Sequence, residues 1–160
     1  MTIRPAVRAD VPLILSLIRE LAAYEKLAHE VVADEAGIDE TLFGERPGAE
    51  VIIAEVDATP VGFALYFFNY STFLGKRGLY LEDLFVRPEA RGQGVGRALL
   101  AHLAQIARGR RCGRLEWAVL DWNTPATGFY ERLGAMPMND WTTYRLSGEA
   151  LAALARETGS

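Results

Sequence analysis

The chain is organised around one stretch, Tyr80-Leu-Glu-Asp-Leu-Phe-Val-Arg-Pro-Glu-Ala-Arg-Gly-Gln-Gly-Val-Gly-Arg-Ala-Leu-Leu100. Its first part predicts a β-strand, because apolar and β-branched residues continue to Val86 and Pro88 then stops the strand. A glycine-rich turn follows and leads into a 3.6-residue apolar period, which predicts a helix. Backbone N–H groups at such a helix N-terminus attract an anion, most often a phosphate, and glycine lets the ligand approach the backbone closely.

The residues of the turn exclude two common phosphate-binding motifs. A P-loop needs Lys followed by Ser or Thr after its last glycine, whereas Arg97 and Ala98 follow here. A dinucleotide-binding fingerprint needs Gly-x-Gly-x-x-Gly, whereas these glycines are evenly spaced at positions 92, 94 and 96. The turn by itself leaves open a glycine-rich connection that binds no ligand.

Length and composition predict one globular domain spanning residues 1–160, since 50% of the residues are hydrophobic and 24% are charged. No apolar run approaches the roughly 20 residues of a membrane span, and no signal peptide opens the chain. One cysteine, Cys112, forms no internal disulfide. We therefore expect a cytoplasmic protein with no membrane partner. We expect no metal site, because His29 and His102 lack ligand-type neighbours at metal-binding spacing.

The net charge of −4 is unevenly distributed. Residues 20–50 contain nine carboxylates and two basic residues, whereas residues 87–114 contain seven arginines and one carboxylate. Most of these charges are expected on solvated surfaces, but the acidic segment could attract a cationic substrate and the basic segment contains the glycine-rich turn. A nucleic-acid partner is not expected, because the chain is acidic and lacks aromatic residues interleaved with the arginines.

The order of predicted elements indicates an α+β fold around one sheet, with a β-α-β crossover at its centre. Asp10 and Asn123 are predicted helix N-caps, and Gly134 is predicted to end the second of those helices. The predicted strands are an opening strand at Ile3 and then residues 51–56, 61–70, 79–86, 115–120 and 141–146. The predicted helices cover residues 11–24, 34–43, 97–108, 124–133 and 149–157, and residues 71–78 are a predicted loop.

The turn Arg91-Gly-Gln-Gly94-Val-Gly96 matches the Gln/Arg-x-x-Gly-x-Gly/Ala motif with which the GCN5-related N-acetyltransferase (GNAT) family binds the pyrophosphate of acetyl-CoA. The chain resembles that family over nearly its whole length, and it resembles the diamine (spermidine/spermine) branch most. The resemblance implies a mixed, mostly antiparallel sheet flanked by helices. The segments that carry it are Arg4-Pro5, 21–25, 61–66, Tyr80-Leu-Glu-Asp83, Asp121-Trp-Asn123-x-Pro125 and Phe129-Tyr130-Glu-Arg-Leu-Gly134.

The implied reaction is transfer of an acetyl group from acetyl-CoA to a primary amine, by direct attack. An alkylamine has a pKa of about 10, so it must lose a proton before it attacks, and the departing thiolate must gain one. Glu82 is the candidate base, directly or through a water, because a carboxylate within an apolar strand is costly unless it is bonded or functional. Strand alternation predicts Glu82 on one face with Tyr80, Leu84 and Val86, and Asp83 on the other with Leu81 and Phe85. Tyr130 matches the tyrosine that the family uses as the acid for the thiolate.

The resemblance also implies the groups that bind the two substrates. Asp83 is a second carboxylate for the cation, and Tyr24 and Glu25 match positions that contact the amine in this branch; helix-end surface residues are the alternative for those two. Main-chain groups of Leu84, Phe85 and Val86 would pair with the pantetheine amides, together with Asn123. The pyrophosphate would be held by the turn, whose residues are Arg91, Gly92, Gln93, Gly94, Val95, Gly96 and Arg97.

Several alternatives remain open. Residues 70–76 and Ala28-His29 depart from the polyamine enzymes, so a polyamine, a shorter diamine and an amino-acid amine such as thialysine all remain possible substrates. A protein N-terminus or an aminoglycoside is an alternative acceptor, and a non-catalytic acyl-CoA-binding module is an alternative of another class. Members of the branch form homodimers, so we expect a homodimer here.

Overall fold

In the computed structural model, which describes residues 1–157, the chain falls into two units, Met1–Ala118 and Val119–Ser160. The first unit contains a five-stranded sheet whose strands follow chain order. Strands β1, β2, β3 and β4 pair with one another in antiparallel fashion, and β5 pairs with β4 in parallel. The strands are β1 (Thr2–Pro5), β2 (Glu50–Val56), β3 (Thr59–Ser71), β4 (Lys76–Val86) and β5 (Leu115–Trp117).

Within residues 1–157, three α-helices belong to the first unit and two to the second. The central connection β4-α3-β5 is the predicted β-α-β crossover, which confirms the α+β class with a mixed, mostly antiparallel sheet. None of the helices within residues 1–157 is long and apolar enough to cross a membrane. The helices are α1 (Val11–Tyr24), α2 (Glu35–Phe43), α3 (Val95–Gly109), α4 (Thr124–Arg132) and α5 (Gly148–Ala155).

The sheet of the first unit is covered on both faces. One buried cluster joins α1 and α2 to alternate residues of the strands: Ile14, Leu17, Ile38, Ile53, Phe63 and Phe85. Ile52 and Ala64 alternate with the strand members of that cluster and are also buried, so they point to the opposite face. The buried leucines of α3, Leu99 and Leu103, cover that second face. The strands are therefore apolar on both sides.

The two hairpins are tighter than the sequence predicted. Asp57 and Ala58 have φ of 50° and 62°, so a two-residue turn joins β2 to β3, and Pro60, predicted in the turn, lies in the strand. Between β3 and β4 the connection comprises residues 72–75, whereas a loop over residues 71–78 was predicted. Both differences extend strands, because cross-strand hydrogen bonds continue wherever two backbones stay adjacent.

The predicted strand Trp141–Leu146 is wrong, because the structure has no strand there and Trp141 and Tyr144 are 78% and 93% exposed. A segment forms a strand only where a neighbouring strand completes its backbone hydrogen bonds. The strand predicted over residues 115–120 also ends early, because β5 stops at Trp117 rather than at Leu120.

Asp10 and Asn123 occupy the N-cap positions of α1 and α4 as predicted, but neither side chain makes a capping hydrogen bond to its helix. The Asp10 carboxylate accepts hydrogen bonds from Arg4 and from the Val7 N–H, so it caps the turn before α1 instead of α1 itself. Gly134 follows the end of α4 with φ of 92°, which confirms its predicted position.

Candidate active site

A β-bulge in β4 positions the paired carboxylates. Asp83 lies opposite Leu65 and Leu81 lies opposite Tyr66, so Glu82 is the extra residue between two consecutive cross-strand pairs. Cross-strand partners share a face, and Leu65 packs against the cluster of α1 and α2, so Asp83 faces α1. Leu81 and Asp83 therefore lie on opposite faces. The predicted uninterrupted alternation along β4 is wrong at this point, because it does not allow for the bulge.

The sheet opens at the same position. Strand β5 pairs with β4 only over Leu79–Leu81, opposite Leu115–Trp117. Beyond this pairing, at residues 82–86, the side of β4 that faces away from β3 has no strand partner within the described part of the chain. Peptide groups at an unpaired edge are available to a ligand that itself carries amide groups. This edge includes the predicted pantetheine-binding residues Leu84, Phe85 and Val86.

The glycine-rich turn is open where an anion would bind. Gly92 and Gly94 have φ of 78° and 82°, and a Cβ built on either residue would meet no atom within 4 Å. Helix α3 begins directly after Gly94, so its first N–H groups lie at this open turn. Gly96 is different, because a Cβ there would contact Leu84 and Val86 at 3.9 and 3.8 Å. The first two glycines shape the turn, and Gly96 packs the start of α3 onto β4.

Three carboxylates act on one another near the bulge. Burial, followed by the negative charges of Glu82 and Glu25, raises the pKa of Asp83 from 3.8 to about 6. Burial also raises the pKa of Glu25, which follows the last residue of α1, whereas Glu82 is exposed. The fold thus brings together Glu25, Glu82 and Asp83, which the sequence predicted as substrate-binding residues from separate segments.

The two predicted anion-binding arginines differ in their placement. Arg91 donates from Nε to the Val86 carbonyl at 2.9 Å, and its guanidinium carbon lies 4.8 Å from the ring centre of Tyr24 and 5.5 Å from that of Phe85. Arg97 is exposed in the first turn of α3. The charge of Arg91 is therefore directed at β4 and at the end of α1.

The second unit carries the predicted acid and one predicted pantetheine contact. Tyr130 lies in α4 and is half-buried, with its ring centre 5.8 Å from that of Phe129. Asn123, also half-buried, lies directly before α4, and its carbonyl accepts a hydrogen bond from the Thr127 N–H at 3.1 Å. The roles of both residues stay predictions.

Residues 16–135 match the acetyltransferase (GNAT) family. The chain belongs to this family. It is 42% identical to the Bos taurus thialysine N-epsilon-acetyltransferase, with 96% of each chain covered. It is 35% identical to the Homo sapiens spermidine/spermine N(1)-acetyltransferase-like protein 1, over 97% of this chain and 24% of that protein. Among solved structures, an integron cassette protein from V. cholerae superposes with a TM-score of 0.81, 31% identity and 98% of each chain covered.

These likenesses confirm the prediction of an N-acetyltransferase related to the diamine branch. The GNAT family uses acetyl-CoA as its cosubstrate, and the open turn with the unpaired β4 edge fits that molecule. No group of three or more His, Cys, Asp or Glu side chains within residues 1–157 is arranged to hold a metal ion. Sequence reasoning missed the bulge at Glu82 and the contact between Arg91 and Tyr24. Neither had a sequence signal, since both depend on chain segments far apart in the sequence.

Proposed function

We propose that this acetyltransferase acetylates a primary amine of a small cationic molecule, with thialysine first among the candidates and diamines and polyamines next. The observation that carries the proposal is the group of three carboxylates, Glu25, Glu82 and Asp83, at the bulge where the β4 edge opens. Negative charge at this point attracts an ammonium group. The names of the bovine and human relatives support the same class of substrate.

The first unit supplies what the cosubstrate requires. The N–H groups at the start of α3 and the charge of Arg97 hold the diphosphate, while Gly92 and Gly94 keep side chains out of its way. Main-chain groups of residues 84–86 bind the pantetheine arm, and Asn123 is the further contact to that arm that the family resemblance implies. The thioester of the bound cosubstrate supplies an activated acetyl group.

The carboxylates bind the amine as a cation and then accept its proton. With a pKa of about 6, Asp83 is ionised at neutral pH yet more basic than an ordinary aspartate, which suits a general base. Glu82, the base predicted from the sequence, lies beside it and takes the proton directly or through a water. Tyr24 and Glu25 position the amine, and Tyr130 donates a proton to the departing thiolate.

A substrate panel and paired variants test this assignment. Acetyl-CoA turnover is measured with thialysine, ornithine, diamines, spermidine, an aminoglycoside and a peptide N-terminus. Glu82→Gln and Asp83→Asn should each lower kcat/KM by at least tenfold, and the variant with the larger loss of kcat identifies the proton acceptor. Glu89→Gln is the matched control, because it removes an exposed carboxylate outside the cluster.

The possible outcomes separate the candidate functions. Turnover of small amines that both cluster variants impair supports the proposal. Tight binding of coenzyme A without turnover of any acceptor contradicts it and favours a non-catalytic acyl-CoA-binding module. Efficient turnover of the aminoglycoside or the peptide alone reassigns the acceptor.

We further propose that the protein is a cytoplasmic homodimer with a single domain over residues 1–160. The homodimer is implied by the branch that the chain resembles, and one cysteine is typical of a reducing compartment. Light scattering after size-exclusion chromatography tests the dimer, and a monomeric mass contradicts it. Two separate unfolding transitions would contradict the single domain.

A further inference from the structure

Arg91 contacts the two sides of the candidate site at once. Arg91 is the first residue of the glycine-rich turn, yet its side chain donates a hydrogen bond back to the Val86 carbonyl at the end of β4. Its guanidinium also lies over the ring of Tyr24, the last residue of α1, and over Phe85. A planar guanidinium can donate a hydrogen bond in its plane while its face stacks on an aromatic ring, which a lysine ammonium cannot do.

The end of α1 depends on contacts of this kind. The chain reverses directly after Tyr24: Lys26 takes φ of 62°, a conformation that a non-glycine residue adopts reluctantly, and the Leu27 N–H returns to the Ala22 carbonyl at 2.8 Å. Glu25, one of the three carboxylates of the cluster, lies between Tyr24 and this reversal. A group that holds the Tyr24 ring against β4 therefore also holds Glu25 in position relative to Asp83.

We propose that Arg91 is a positioning residue for the amine side of the site, rather than the source of positive charge for the diphosphate. It locks Tyr24 against the end of β4 and thereby orients the carboxylates that receive the substrate cation. This inference rests on the proposed function in one respect, the binding of the amine beside Tyr24 and Glu25. It leaves the backbone of the turn and Arg97 to hold the diphosphate.

Three arginine variants test the assignment. Arg91→Gln should raise the KM for thialysine about three- to tenfold, which matches the usual strength of a partly exposed cation–π contact with one hydrogen bond. Its Kd for coenzyme A, measured by calorimetry, should stay within about twofold of wild type. Arg97→Gln should show the reverse pattern. Arg87→Gln is the matched control, because Arg87 also holds α1, through Glu20 at 3.0 Å, but not at the Tyr24 ring.

A double-mutant cycle shows whether Arg91 acts through Tyr24. In a Tyr24→Leu background the Arg91→Gln change should raise the amine KM by less than twofold, whereas Tyr24→Phe, which keeps the ring, should preserve the full effect. Arg91→Lys should fall between wild type and Arg91→Gln. Weaker coenzyme A binding in Arg91→Gln with an unchanged amine KM would overturn the inference.

The cycle also separates this inference from the proposed function. If the wild-type protein turns over no amine, the proposed function fails, and the same four proteins are compared by urea unfolding. Non-additive unfolding free energies would still support a contact between Arg91 and Tyr24 that stabilises the end of α1. Additive values would overturn it.

Discussion

Asp83 should make the protein less stable as the pH rises, which is the opposite of the usual effect of a carboxylate. Its pKa of about 6 in the folded chain compares with 3.8 for the unperturbed side chain, because burial and the charges of Glu82 and Glu25 disfavour ionisation. The folded state therefore keeps a proton that the unfolded chain has already released. The test is the substitution Asp83→Asn, which keeps the shape and removes the charge.

The magnitude follows from the two pKa values. A difference of roughly two pH units, at about 1.4 kcal/mol each, gives an upper limit of about 3 kcal/mol, and solvent access to the half-buried side chain reduces it to about 1–2 kcal/mol. Below pH 3.8 both states are protonated and the penalty is absent. It grows between pH 3.8 and about 6 and stays constant above.

Urea unfolding at pH 4, 5, 6, 7 and 8 measures the effect. The stability of Asp83→Asn relative to wild type should increase by about 1–2 kcal/mol from pH 4 to pH 7 and then level off. Glu89→Gln provides the same change of charge at an exposed position. A difference between Asp83→Asn and wild type that is constant with pH, or that decreases with rising pH, would refute the reasoning.

Three further perturbations have defined outcomes. Gly94→Ala places a Cβ at φ of 82°, so it should cost about 1–2 kcal/mol of unfolding free energy and weaken coenzyme A binding; an unchanged Kd by calorimetry would exclude the turn as the diphosphate site. Tyr130→Phe should lower kcat at least tenfold while leaving the Kd for coenzyme A unchanged, and stopped-assay kinetics with an unaltered kcat would reject the acid role. Asp10→Ala removes the acceptor of Arg4 at 2.8 and 3.0 Å and of the Val7 N–H, and should destabilise the fold by about 1–2 kcal/mol at pH 7. Since Arg4 holds the pKa of Asp10 below 3.8, this contribution is complete above that pH and disappears as the pH falls through the folded-state pKa; urea unfolding that shows no such loss in acid would contradict it.

Local features of the fold were readable from the sequence because each depends on a few adjacent residues. The end of β4 near Pro88, the glycine-rich turn and the helix after it are set by backbone sterics and by apolar periodicity. The prediction of a strand over Trp141–Leu146 was wrong because it depended on a contact with a distant segment. Its residue types are equally local information, but a strand also needs a partner, and a stretch of six residues does not specify one.

The candidate site likewise combines features that adjacent residues specify with features that depend on contacts between distant segments. The order of residues is enough to identify the chemical groups: two adjacent carboxylates in β4, a glycine-rich turn before a helix, and an arginine at the first position of that turn. The folded chain is needed to see that Glu82 is the bulged residue, that Asp83 faces α1 with a raised pKa, and that Arg91 lies over Tyr24. Register, burial and stacking are properties of segments that are distant in the chain. They come into existence only when β3 pairs with β4 and α1 packs on the sheet.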